Sequence, residues 1–248
     1  MAGTRQPAQA VSTNPTTPAT DEDQLLSGFR VLDLTRELGV YCTKLLADLG
    51  AEVIRIEPPT GDPLRQRGPF FKDVPHPEHS LYFMYYNTGK RSITLDLEQP
   101  EGQVLFKKLV ARADVVVESF APGYMDGIGL GYQVLSRANP RIIVAAITPF
   151  GQEGPYRNFK ATDLINMSMG AYTYTTGDAD RPPVRISFPL SHCHAGAEAA
   201  AASVMANYHR ERTGEGQFID VSIQECVIWT LMNTTTTWDL IQTNVGRG

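Results

Sequence analysis

The sequence predicts an α/β fold, a doubly wound parallel sheet with helices on both faces, and three observations support it. Strand, helix and strand patterns follow one another within about thirty residues near the start, the size of a βαβ unit. Short apolar runs rich in β-branched residues then alternate with amphipathic helical patterns up to about residue 150. The 248 residues, 42% hydrophobic and 20% charged, are enough to bury a full core in a soluble protein.

Composition excludes several classes of function. The net charge is −5 and no long basic run is present, which argues against a nucleic-acid or anionic-membrane surface as partner. The three cysteines Cys42, Cys193 and Cys226 are widely spaced, without CxxC or Cys/His metal spacing. No apolar run reaches membrane-spanning length, and the N-terminus lacks a signal-peptide core. We therefore expect a cytoplasmic protein in a reducing compartment.

The opening unit consists of the strand Phe29–Leu34, a helix with leucines at helical spacing, and the strand Glu52–Glu57. Such a unit implies a right-handed crossover within a parallel sheet. Glu57 occupies the position at which nucleotide-binding folds often hold a ribose. The first turn, however, has one glycine, Gly39, and no GxGxxG motif, so a dinucleotide site is disfavoured.

The remaining elements follow in order along the chain. A long loop rich in proline and glycine is predicted over residues 58–80. Next come a helical turn, a strand, a helix, a strand, a short helix and a strand: Leu81–Tyr86, Arg91–Leu97, Pro100–Ala111, Ala113–Phe120, Tyr132–Arg137 and Arg141–Thr148. Helices are predicted over Asp163–Ala171, over the alanine-dense and therefore close-packed segment Ala195–Tyr208, and over Ile223–Thr243, with a strand at Gln217–Ser222.

Seven ordered blocks carry a resemblance to a known family: VLDLT, LLADLGAEVIRIEPPTGDPLR, NTGKRSITLDL, ADVVVESFAPG, NPRIIVAAITPFGQEGPY, TTGDADRPPVR and RTGEGQFIDVSIQE. At this spacing the chain is identified as a member of the class III CoA-transferases, or CaiB/BaiF family, over residues 28–229. Formyl-CoA and carnitine CoA-transferases and α-methylacyl-CoA racemases belong to this family. The resemblance implies a Rossmann-like large domain, a smaller second domain, and two chains threaded through each other as an interlocked dimer.

The resemblance also sets the expected domain boundaries. Residues 1–24 lack apolar periodicity and are predicted to be a disordered tail. Residues 25–225 correspond to the CoA-transferase large domain. Residues 226–248 are expected to form a helix that leads toward the second domain, which is largely missing from this sequence.

Coenzyme A or an acyl-CoA is the substrate that the resemblance implies, without a permanently bound cofactor. It would lie across the carboxyl ends of the strands, as ligands of open α/β sheets do. By motif position, Leu95, Ser119 and Phe120 would flank the adenine, and Lys160 would reach the phosphates as a point charge. Taken alone, Lys160 also fits a solvated surface lysine.

The family's transferases use an aspartate that attacks the acyl-CoA thioester, and His192 stands at that position here. The racemase histidine is likewise replaced, by Thr162. His192 and His194 would share one face of an extended segment, where they could bind a metal with a third ligand. No such third ligand is evident, so a metal site is disfavoured. The alternatives are a buried histidine with its hydrogen bonds satisfied, or a histidine in contact with a helix N-terminus. Ala121 and Glu98 replace basic positions that would face phosphate.

These departures leave three functions open. The chain is a subunit that moves CoA from a donor, with succinyl-CoA as a candidate, to an organic acid beside a paralogous subunit carrying the catalytic aspartate. The benzylsuccinate CoA-transferases offer a precedent for two related subunits. Alternatively it is a non-catalytic CoA-binding or scaffolding protein. The third possibility is an active homomeric enzyme with altered chemistry at His192, for which racemisation by the family's acid/base pair is disfavoured.

Overall fold

Six parallel strands form a single sheet in a computed structural model that describes residues 24–247. The predicted tail therefore lies outside the described residues, apart from its last position. The strand order is β3-β2-β1-β4-β5-β6, a doubly wound order in which the chain reverses direction across the sheet between β1 and β4. The strands are β1 Arg30–Leu34, β2 Glu52–Glu57, β3 Arg91–Thr94, β4 Val115–Glu118, β5 Ile143–Thr148 and β6 Phe218–Ser222. The predicted α/β class is confirmed.

Helices cover both faces of the sheet. They are α1 Val40–Asp48, α2 Leu81–Asn87, α3 Pro100–Val110, α4 Tyr124–Gly127, α5 Tyr132–Ala138, α6 Asp163–Met169, α7 Leu190–Thr213, α8 Ile223–Trp229 and α9 Met232–Ile241. Within the described residues no helix is both long and apolar enough to cross a membrane.

Alternate residues of the strands supply two core layers, because side chains along a strand point to opposite faces. On one face Val115 and Val117 pack with residues of α1 and α7. On the other, Val116 packs with Phe106 of α3 and Leu135 of α5. Burial on both faces explains why these strands read as continuous apolar runs.

Helix α7 lies close against α1, as its alanine content predicts. Ala195 and Ala199 are fully buried in the layer shared with α1. At Gly196 a Cβ atom would lie only 2.9 Å from the backbone nitrogen of Cys42, so only glycine permits this approach.

Some predicted bounds are wrong. Helix α7 begins at Leu190 rather than near Ala195, because Asp163 at the start of α6 accepts hydrogen bonds from the Ser191 amide and hydroxyl at 3.0 and 2.8 Å. This support comes from another helix and leaves no local pattern. The helix predicted from Ile223 is two helices separated at Thr230 and Leu231, and the short helix α4 was not predicted.

Candidate functional site

The carboxyl ends of four strands surround a cleft of about 290 Å³. Its lining includes Leu34 at the end of β1, Ile56 of β2, Leu95 just after β3 and Phe120 just after β4. This is the place where open α/β sheets bind ligands, because loops leave the strands there in opposite directions.

One wall of the cleft is aromatic. The rings of Phe120 and Tyr124 lie 4.6 Å apart between centroids and 31° from parallel, and the Arg36 guanidinium lies 5.6 Å over the Phe120 ring. Ser119 is not among the residues that line the cleft, and its hydroxyl oxygen accepts the Arg36 backbone amide at 2.8 Å. An aromatic face beside a guanidinium can hold a planar ring together with a neighbouring phosphate.

Glu98 opposes an anion in the same cleft. It is one of the lining residues, and its carboxylate accepts a hydrogen bond from the Tyr124 hydroxyl at 3.1 Å. The carboxylate is thereby held against the aromatic wall, where it would repel a phosphate. Ala121 lines a different cavity and offers no charge.

Beneath the cleft lies a buried ionic network centred on Asp33. Its Oδ2 receives the Arg55 guanidinium and the Lys90 ammonium, each at 2.9 Å, and Arg55 also pairs with Asp62. Burial alone would raise the pKa of Asp33, but Lys90 and Arg55 outweigh it and hold that pKa well below its usual range. Since Asp62 also lines the cleft, this network fixes its floor.

Glu57 is engaged by protein groups rather than open to a ribose. Both carboxylate oxygens accept hydrogen bonds from Arg65, at 2.7 and 2.8 Å, and Ser92 donates a third at 2.5 Å. Burial would raise the pKa of Glu57, but these bonds prevail and lower it to about 2. This arrangement accords with the disfavoured dinucleotide site.

His192 lies in the first turn of α7 and is only 6% exposed. Neither ring nitrogen has a hydrogen-bond partner within residues 24–247. Burial lowers its pKa more than the nearby carboxylates of Glu37 and Asp163 raise it, and the cation Arg67 adds to the lowering. The imidazole is therefore neutral near pH 7. Glu37 and Arg67 form an ion pair at this point.

The structure brings some predicted site residues together and separates others. Leu95 and Phe120 line the same cleft, whereas Ser119 is not one of its lining residues. Lys160 is exposed in the segment between β5 and α6, and it is not one of the cleft residues. Sequence reasoning missed Arg36 and Tyr124, because a cation and an aromatic residue in separate turns carry no motif.

The expectation that His192 and His194 share a face of an extended segment is wrong. Both belong to helix α7, where residues two apart point about 200° away from each other. The Nε2 atom of His194 is also buried without a partner among the described residues. A metal site built from this pair has no geometric basis.

Comparison with known proteins shows relatives whose sequences are about 40% identical to this chain. Subunit BbsE of succinyl-CoA:(R)-benzylsuccinate CoA-transferase from Thauera aromatica is 42% identical over 217 residues, covering 88% of this chain and 53% of that protein. The succinyl-CoA–D-citramalate CoA-transferase of Chloroflexus aurantiacus is 41% identical, covering 82% of this chain and 50% of the relative. The chain thus spans about half the length of the curated relatives it matches.

Solved structures share the fold. A CaiB/BaiF family protein from Brucella suis superposes with a TM-score of 0.85 at 36% identity, covering 90% of this chain and 60% of that one. Protein Rv3272 from Mycobacterium tuberculosis superposes with a TM-score of 0.79 at 32% identity, covering 89% and 60%. The sequence pattern of CoA-transferase family III matches residues 26–248. With this pattern over nearly the whole chain and the fold of its solved relatives, the chain belongs to CoA-transferase family III, the CaiB/BaiF family.

Proposed function

We propose that this chain is a subunit of a class III CoA-transferase that moves CoA from an acyl-CoA donor, such as succinyl-CoA, to an organic acid. The observation that carries the proposal is the buried neutral imidazole of His192, a residue that by motif position stands where the family's transferases carry their aspartate. An acyl-imidazole hydrolyses readily and does not support an anhydride–thioester cycle. We infer that the required carboxylate comes from a paralogous partner subunit.

The proposed reaction needs one carboxylate that accepts an acyl group and releases it again. That carboxylate attacks the thioester carbonyl of the donor, the C–S bond breaks, and CoA leaves as a thiolate. The thiolate then attacks the carboxylate's own carbonyl in the anhydride, which frees the donor acid and leaves an enzyme thioester. The acceptor acid repeats the two steps in reverse and leaves as its CoA ester.

The cleft supports coenzyme A as the substrate held by this chain. The Phe120 ring, stacked against Tyr124, offers a face for the adenine, and Leu95 lies in the same lining. The exposed Arg36 provides a phosphate partner beside that face. Lys160 would add a second cation if its segment closes over the ligand. Glu98 in the same lining would weaken phosphate binding by charge repulsion.

Exposed apolar residues support a second chain as partner. Trp229, at the end of α8, is 63% exposed, and Leu240 and Ile241 in α9 are 77% and 65% exposed. Large apolar side chains exposed on two successive helices are typical of a protein interface. The relative from Thauera aromatica is itself named as a subunit. An interlocked dimer with a paralogous subunit is the arrangement that we propose.

Co-expression with a paralogous chain that carries the aspartate tests this function. The purified complex is assayed for CoA transfer from succinyl-CoA to a set of organic acids, with the single chain assayed in parallel. We expect turnover by the complex and none by the single chain. Turnover by the single chain contradicts the proposal. A complex that binds CoA without transfer identifies the alternative, a non-catalytic CoA-binding scaffold.

A further inference from the structure

A second cavity lies beside the CoA cleft and shares one wall with it. This cavity has a volume of about 470 Å³. The shared wall is the segment 120–126, here called the partition. Phe120 and Tyr124 of the partition line the cleft, whereas Ala121, Met125 and Asp126 line the second cavity. A structural change of the partition on the side of the second cavity can therefore alter the wall of the cleft.

Glu118, the last residue of β4, stands at the base of the partition. It is 6% exposed and lines the second cavity. Its Oε2 accepts the backbone amide of Phe120 at 2.6 Å, and this bond is charge-assisted when the carboxyl is ionised. The other carboxyl oxygen, Oε1, has no hydrogen-bond donor within residues 24–247. Because Glu118 lines the second cavity, water in that cavity can exchange a proton with the carboxyl group.

We propose that Glu118 is a positioning residue that holds the aromatic wall of the CoA cleft in its binding geometry only when its carboxylate is ionised. The inference rests on the proposed function for the identity of the ligand but not for the contact itself. An ionised oxygen accepts the Phe120 amide more strongly than a protonated one does. Loss of the charge therefore loosens the turn that places the Phe120 ring.

The surroundings put this ionisation near neutral pH. Burial raises the pKa of Glu118 to about 7, against the opposing effect of the Phe120 amide, with Asp126 and Asp220 contributing to the rise. Asp220 faces the same side of the sheet, since Ala146 pairs with both Glu118 and Asp220 in register. The other charged or titratable groups lining the cavity are Tyr132 of α5 and Glu153 and Arg157 after β5.

The amide proton of Phe120 gives a direct readout without any ligand. This chain is produced with isotope-labelled phenylalanine and purified in complex with the proposed partner subunit. The backbone amide signals of its phenylalanines are then followed by NMR as the pH is raised through the pKa of about 7. We expect the Phe120 amide proton to shift downfield as the pH rises, because its acceptor becomes charged. Glu118→Gln abolishes the titration. Asp126→Asn moves its midpoint to lower pH, because a carboxylate that raises the pKa has been removed.

Adenosine binding tests the consequence for the cleft. Adenosine carries no phosphate, so the charge of Glu118 cannot repel it. Any effect of that charge on adenosine affinity must come from the position of the aromatic wall. We expect affinity to rise by up to about fivefold from about pH 5.5 to about pH 8.5, the effect of one hydrogen bond strengthened by about 1 kcal/mol. Glu118→Gln should flatten this profile, since its amide oxygen does not titrate.

The possible outcomes separate the two proposals. A Phe120 amide that does not titrate near pH 7, or that titrates unchanged in Glu118→Gln, overturns the positioning role. Titration together with a measurable adenosine affinity that does not change with pH also overturns it, because the ionisation of Glu118 would then not affect ligand binding. Absence of both adenosine and CoA binding at every pH, with the amide titration present, refutes the proposed CoA site instead.

Discussion

At the scale of single residues, our proposal depends most on His192. It occupies the first turn of a 24-residue helix, where backbone amides favour a negative charge, yet it presents a neutral ring. Unpaired buried ring nitrogens are costly in a folded protein, so we expect those of His192 to find a partner in the complex that we propose. The same turn suits a carboxylate better than an imidazole.

His192→Asp tests whether the nucleophile alone was lost. The helix N-terminus should stabilise the new carboxylate by about 0.3–1 kcal/mol. We nevertheless expect no CoA transfer by the substituted single chain, because Glu98 in the cleft lining repels the phosphates of the substrate, and a nucleophile helps only when the acyl carbon lies within attack distance. Transfer measured with succinyl-CoA would show that the binding groups are intact.

Asp33→Asn should be strongly destabilising. The substitution leaves Arg55 and Lys90 buried without their shared anion, a loss of about 3–5 kcal/mol in the free energy of unfolding. The matched control is Asp48→Asn, which breaks the half-exposed pair with Lys44 and should cost about 0.3–0.5 kcal/mol. Urea unfolding measures the loss of unfolding free energy in both variants. Similar losses would show that the ionic network does not support the fold.

Glu57 should contribute to acid denaturation. Its folded-state pKa of about 2 lies below the unfolded value of 4.5, so its contribution is present above the unfolded pKa and lost as the pH falls toward the folded one. We expect Glu57→Gln to be less stable at neutral pH and to lose less stability between about pH 5 and about pH 2. An unchanged slope of unfolding free energy against pH would contradict the role of Arg65.

At the scale of elements, patterns contained within one segment could be predicted and those that depend on distant partners could not. The strand Glu52–Glu57 has the predicted bounds because Pro58 and Pro59 end it locally. The start of α7 was missed by five residues because its support comes from Asp163 on another helix. At the candidate site, motif position predicted Leu95 and Phe120. Arg36 was not predicted, because only the folded turn after β1 places it over the Phe120 ring.

Gly196→Ala tests the close approach of α7 and α1. The added methyl group would meet the Cys42 nitrogen and the Tyr41 Cβ, both at 2.9 Å, so the helices must separate at a cost of about 1–3 kcal/mol. Gly127→Ala is the control, because a Cβ at that helical position meets nothing within 4 Å and alanine favours a helix. Thermal unfolding should fall for the first and stay level or rise for the second.

At the scale of the whole molecule, we expect the isolated chain not to remain a compact monomer. Obligate interfaces bury large apolar areas, and four large apolar side chains are exposed on α8 and α9: Trp229, Trp238, Leu240 and Ile241. Sedimentation at micromolar concentration should show self-association or, with the paralogue present, a mixed complex. A soluble, well-folded monomer would be evidence against this arrangement.

The location of the covalent intermediate tests the central claim most directly. The complex of this chain with its paralogue is incubated with succinyl-CoA, treated with hydroxylamine or borohydride, and digested for mass spectrometry. We predict a modified aspartate on the paralogous subunit and no modified carboxylate in this chain. A hydroxamate or reduced adduct on any carboxylate of this chain, such as Glu37 or Asp163 near His192, would contradict the account.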